Sequence, residues 1–339
     1  MSPVFRSALA SRALTPPLVV AVFFVLVTAL GSLLWGAGPV SPWDALPVLF
    51  GQGSEEARFV VTELRLPRLA TGIVTGLALA ISGALLQALT RNPLAEPGLL
   101  GVSGGSAFAV AIAILLGASS VTMTTLVSQA GALAGCGLVM LALRSGGLAA
   151  DPVRLVLAGA AVTSLLLSLT SVIMLADQRA ADEIRFWITG SIAGTPLSHL
   201  TAVVPSLLVA SILVVLVSAP LAAMSLGERA AMGLGHKPGR IRLMVIVAVA
   251  LMVGAATAIA GPLAFVGLAV PFMARAVAGP DIRKTLWLSL PLGPGVLLLA
   301  DTLARLVAAP SEMPLGVITA LIGAPVLLVI VRSGRMPTL

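Results

Sequence analysis

Long apolar runs alternate along the chain with short polar segments that carry arginine. Leu18 to Leu34 is nearly unbroken apolar sequence. Comparable runs follow at about 67–89, 98–117, 122–143, 152–175, 199–219, 240–260, 264–278, 285–307 and 314–332. A bilayer core about 30 Å thick takes roughly 20 apolar residues as a helix. The pattern therefore predicts an all-α polytopic membrane protein with about ten transmembrane helices. The runs are continuous and do not alternate with period two, which excludes a transmembrane barrel. The run at 264–278 is short and lies between Gly261-Pro262 and Gly279-Pro280, so it predicts a tilted or partial helix. The first run is longer than the roughly 7–15 apolar residues of a secretory signal and reads as a true span. Residues 1–16 then form a cytoplasmic N-terminal segment, 17–332 the membrane domain and 333–339 a cytoplasmic tail. No internal repeat is evident.

Charge sets the orientation. With ten spans and the N-terminus inside, fourteen of the twenty basic residues fall on the inner side. The outer side holds Arg58, Arg65, Arg68, Arg179, Arg185 and Arg305 against eight acids, and Asp301 lies within a span. This is the positive-inside distribution. Trp35, Trp43, Trp187 and Trp287 fall at or beside span ends, the depth an amphipathic indole prefers. Composition agrees, with 58% hydrophobic and 10% charged residues and a mean hydropathy of +1.11. A soluble domain carries about 25% charged residues, so an ordinary soluble enzyme is excluded. The net charge of +7 is scattered between apolar runs, which reads as loop anchoring in a lipid membrane and argues against nucleic-acid binding. Cys136, the single cysteine, sits in an apolar run and reads as a small packing residue. Gly72, Gly76, Ala80 and Gly83 recur at helical spacing, a pattern that lets helix backbones approach closely in lipid.

Catalytic chemistry is not visible. His199 and His236 are far apart, no Cys/His cluster has metal-ligand spacing, and there is no Walker A sequence. Gly101-Val102-Ser103-Gly104-Gly105 follows no strand and lacks the lysine of a P-loop. The chain on this reading holds no cofactor or metal and borrows its energy from a partner. Asp301 is the clear intramembrane acid, with Arg305 at the i,i+4 spacing of an ion pair. An unpaired, essential Asp301 would instead mark an ion-coupled carrier. Two surfaces suit partners. Inside, in the loop that opens at Leu226, Gly227-Glu228-Arg229-Ala230-Ala231-Met232-Gly233-Leu234-Gly235 reads as a short helix ended by glycine that can dock in a groove, although composition alone favours a solvated connector with positive-inside charge. Outside, Arg65 and Arg68 flank Leu66-Pro67, and Arg305 lies at the end of the ninth span. Outward-facing arginines suit an acidic protein partner, with interfacial anchoring as the plain alternative.

A longer pattern adds to this. Leu64-Arg65-Leu66-Pro67-Arg68, Ala80-Ile81-Ser82-Gly83-Ala84, Gln87 and Arg91-Asn92-Pro93-Leu94-Ala95-Glu96-Pro97-Gly98-Leu99-Leu100-Gly101 follow one another. Later come Phe186-Trp187, Leu226-Gly227-Glu228, Gly261-Pro262-Leu263-Ala264-Phe265-Val266-Gly267-Leu268, Ala300-Asp301-Thr302-Leu303-Ala304-Arg305 and Gly323-Ala324-Pro325. In this order they resemble the FecCD family of ABC-importer permeases, which carry iron–siderophores, haem and vitamin B12. The resemblance spans about residues 60–332.

The resemblance implies a type II importer permease fold of ten helices in the bacterial inner membrane. It implies a dimer with a second permease chain, itself or a paralogue, and a path at the dimer interface. An ATP-binding cassette ATPase dimer, carrying ATP and Mg, would sit on the cytoplasmic side, and an extracytoplasmic substrate-binding protein would dock outside. Arg65, Arg68 and Arg305 match the family's docking arginines, and Leu226–Gly235 matches its coupling helices. The outer gate is expected around residues 177–194. A ferric siderophore or related chelate is the expected cargo, moved by alternating access, with haem or cobalamin as the alternative. One departure stands out: many relatives have histidine after Val-Pro, and here Val270-Pro271 is followed by Phe272, with Arg275 retained.

Overall fold

A computed structural model describes residues 3–118, 121–144 and 152–332. Within them the regular elements are all helical. Helix α1 (Pro3–Leu34) is followed by a surface ledge with two short helices, α2 (Pro42–Ala45) and α3 (Glu55–Phe59). A wide helical turn, Val60–Arg65, then runs directly into α4 (Leu66–Thr90). Next come α5 (Val102–Leu115), α6 (Val121–Arg144), α7 (Pro152–Ala176), α8 (Gln178–Ile188) and α9 (Leu197–Ser225). The chain continues through α10 (Glu228–Gly233), α11 (Pro238–Ala260), α12 (Val266–Ala278), α13 (Ile282–Val307) and α14 (Leu315–Arg332).

Each predicted run coincides with one apolar helix. Seven of these are long and apolar enough to cross a bilayer, and shorter apolar helices lie at Val102–Leu115, Val266–Ala278 and Leu315–Pro325. The expectation for 264–278 was a tilted or partial helix, and α12 has 13 residues. At 1.5 Å per residue it spans about 20 Å, short of a bilayer core. The run at 98–117, read as a full span, is also shortened. Its α-helix begins at Val102, after a tighter helical turn over Pro97–Leu100. Predicted 199–219 is extended to Leu197–Ser225.

The bundle has a core and a perimeter. In α4 and α11, 78% of the apolar window is buried, against 17% in α7 and α9, so the first pair is central and the second peripheral. The core pairs touch through glycine. Antiparallel α4 and α13 meet where Gly76 faces the Gly293 carbonyl, and a Cβ on Gly83 would stand 1.6 Å from the Gly267 oxygen of α12. In lipid, where apolar burial gives helices no reason to associate, such close backbone contact supplies the van der Waals attraction.

Because Gly267 packs at the level of Leu79 to Gly83, α12 begins in the middle of the bundle. The chain before it, residues 261–265, is not helical. Backbone at that depth needs partners. The Ala260 carbonyl accepts from Ser191 N (2.9 Å) and the Ile259 carbonyl from Thr195 Oγ1 (3.2 Å). Phe265, held at φ +68°, donates its N–H to Glu96 Oε1 (3.0 Å). Glu96 comes from the connection before α5, and a Cβ on Gly267 would lie 2.8 Å from Pro97 Cγ. The starts of the two half-length helices are thus locked together.

Candidate functional site

Three regions carry the residues singled out by sequence. The first lies at the end of the bundle that the charge distribution assigns to the outside. Asp301, fully buried in α13, accepts from Arg68 Nε (3.0 and 3.1 Å) and Nη2 (2.8 Å). Arg305 Nη2 lies 3.0 Å from its other oxygen. Arg68 Nη1 also donates to both oxygens of Glu312 (2.8 Å each). Arg305 further donates to the carbonyls of Ser32 (3.2 Å) and Trp35 (2.8 Å) and to Ser32 Oγ (2.9 Å). Arg65 donates to the carbonyls of Leu33 (2.9 Å), Leu34 (2.7 Å) and Val40 (3.0 Å).

The chemistry of this cluster follows from the end of α1. A helix C-terminus leaves its last carbonyls without intrahelical donors and carries partial negative charge. Arg65 and Arg305 supply donors and positive charge there. Gly36 makes room for this, since a Cβ would stand 3.0 Å from Arg65 Nη2.

This corrects one expectation. Arg65, Arg68 and Arg305 were read as outward-facing, yet their residues are only 4%, 9% and 2% exposed and their guanidinium groups are engaged within the chain. The physical reason is that intramembrane charge demands internal partners, and α1, α13 and the link before α14 provide them. Sequence reasoning paired Asp301 with Arg305 but missed Arg68 and Glu312. The structure brings all four together. With two guanidinium groups on it, Asp301 is not the unpaired acid that an ion-coupled carrier requires.

The second region is at the opposite end. Gly227, at φ +112°, turns the chain out of α9 into α10, and Gly235, at φ +83°, turns it back toward α11. Ala231 is buried beneath this segment, while Leu226, Met232 and Leu234 are 75%, 53% and 64% exposed. Glu228 pairs with Arg242 at the start of α11. Arg229, Ala230 and Gly233 are exposed, and Gly227 is half-buried. The result is a fixed helical knob with three apolar side chains turned outward. Arg91 braces its root by donating to the Met224 carbonyl.

The third region is lateral. A groove of about 730 Å³ lies between the end of α8, the break at Pro262 to Ala264 and one face of α14. Its walls include Ile188, Val317, Ala320, Leu321 and Leu328. Helix α14 touches its own chain mainly through α12 and α13, and its groove-side Leu321 and Leu328 are exposed. The sequence marked residues 177–194 as a gate segment but not the groove they border. The helix α8 was missed because its charged face interrupts the apolar pattern. Among the described residues no group of three or more His, Cys, Asp or Glu is placed to hold a metal.

An all-helical bundle of apolar spans, with Asp301 held inside it by two arginines, is a multi-pass membrane protein of the permease class. The chain belongs to the FecCD transport family, whose pattern matches residues 23–333. It is 41% identical to the ferric enterobactin transport system permease protein FepD of Escherichia coli, over 91% of this chain and 92% of that protein. It is 36% identical to the Fe(3+)-citrate import system permease protein YfmD of Bacillus subtilis, over 92% and 93%. Among solved structures it is similar to a metal-chelate type ABC transporter in an inward-facing conformation. That match has a TM-score of 0.82 and 31% identity, and covers 93% of this chain and 98% of the other.

Proposed function

We propose that this chain is the permease subunit of an ATP-driven importer that moves a ferric siderophore or related metal chelate inward. The observation that carries this reading is the similarity, over nine-tenths of the chain, to permeases for ferric enterobactin and ferric citrate. The membrane is the bacterial inner membrane, with both termini cytoplasmic. ATP and Mg belong to a separate ATPase dimer.

On this reading each partner has its own region of the chain. The knob of Leu226 to Gly235 seats in the ATPase groove, where Leu226, Met232 and Leu234 lose their contact with water. The lateral groove and the face of α14 meet a second permease chain, and the path for cargo runs between the two. The extracytoplasmic binding protein meets the outer end. There Arg65, Arg68 and Arg305 act as positioning residues: they fix the end of α1, the ledge at 36–65 and the link before α14 in one arrangement. Nucleotide drives transport only by favouring one permease state over another. The broken region around Glu96 and Phe265 supplies the pivot between helix halves.

The test is co-purification and uptake. The tagged protein, isolated gently from its host, is expected to bring a stoichiometric P-loop ATPase, and deleting the gene is expected to abolish uptake of labelled ferric siderophore. Haem and cobalamin are run in parallel, and loss of either uptake instead would reassign the cargo. The double variant Leu226→Glu, Met232→Glu is expected to lose the ATPase while keeping the melting temperature of the isolated chain. Retention of the ATPase by that variant would remove the knob from the interface.

A further inference from the structure

A small cavity opens at the inner end of the bundle, between α4, α9, α12 and α13. Its volume is about 20 Å³, room for a single water-sized or halide-sized group. Arg91, Ser225 and Pro280, all exposed, surround its mouth, and Leu221, Arg275 and Thr285, all buried, form its floor. Arg275 is 2% exposed. Its Nη2 donates to Gln87 Oε1, and Gln87 is held in turn by its own bond to the Leu268 carbonyl (3.2 Å). Arg275 Nε and Nη1 are buried with no hydrogen-bond partner.

Unmet donors on a buried guanidinium are costly, and an uncompensated charge there costs more than a missing hydrogen bond. No carboxylate lines the cavity. A second guanidinium, that of Arg91, stands at its mouth with one N–H given to the Met224 carbonyl. The hydroxyls of Ser225 and Thr285 donate to the carbonyls of Ala222 (2.8 Å) and Asp281 (3.1 Å). Two positive groups therefore converge on a space with no negative one. Water would satisfy the donors but leave the charge.

We propose that this cavity binds one small inorganic anion of chloride size, held by Arg275 with Arg91 as the outer contact. The site is open to the cytoplasmic side and closes on four helices at the root of the Leu226–Gly235 knob. An anion there ties the knob's root to the core. Its small volume suits a single compact anion such as a halide.

The experiment uses the purified full-length protein with whatever chains accompany it. Crystals soaked in bromide are expected to show an anomalous peak within hydrogen-bond reach of Arg275 Nε and Nη1. In solution, replacing gluconate by chloride at constant ionic strength is expected to raise Tm saturably, by mass action on the folded state. Arg275→Gln is expected to abolish that dependence. Should the variant fail to fold, the bromide peak in the unaltered protein decides alone. Water density without a bromide peak overturns the proposal, as does a Tm that responds to phosphate but not to chloride.

Discussion

Asp301 shows how a residue's meaning changes with its neighbours. Its spacing from Arg305 is legible in the sequence because both lie on one turn of one helix. Its stronger partner, Arg68, is 233 residues away, and Arg68 reaches Glu312 across 244. No local pattern encodes such a meeting; only the register of α4 against α13 does. The same holds for Arg65, whose partners are carbonyls at the end of α1 and carry no side-chain signal. A buried carboxylate shared by two guanidinium groups is expensive to break, because its removal leaves Arg68 with Glu312 alone and Arg305 with no carboxylate at all. Asp301→Asn is therefore expected to cost about 3–5 kcal/mol. Thermal unfolding in detergent would check this, and an unchanged melting temperature would show that the cluster is not a structural clamp.

At the scale of the element, the spans were legible because lipid forces each one to satisfy its own backbone and to be apolar throughout. The interrupted helix α12 was legible too, from Gly261-Pro262 ahead of it. What could not be read was that α5 is shortened as well, or that the two short helices start side by side. That arrangement depends on Glu96, which the sequence presents as an ordinary loop acid, reaching Phe265. The amphipathic α8 escaped the search for apolar runs. The glycines of α4 were read as packing positions, and the structure gives each an opposite number. Gly83→Ala is expected to force α4 away from α12, since the new methyl would overlap the Gly267 oxygen. The expected loss is about 1–3 kcal/mol or more. A smaller melting-temperature drop than for alanine at Gly31, where no neighbour lies within 4 Å, would contradict this contact.

At the scale of the molecule, net charge and its distribution predict an orientation, but a single chain's sequence does not reveal which apolar faces meet lipid and which meet protein. Both α7 and α9 are mostly uncovered. The concavity beside α14 separates them, because a groove with walls on three elements has a shape that a partner can match. Ala320→Trp is expected to fill the groove and reduce the amount of a second permease chain that co-purifies. Leu216→Trp, on the outer face of α9, is expected to leave it unchanged. Light scattering with mass spectrometry of the purified complex would distinguish the two. An apolar compound lodged against α14 would act as a wedge, keeping out the second permease chain that the groove is proposed to receive.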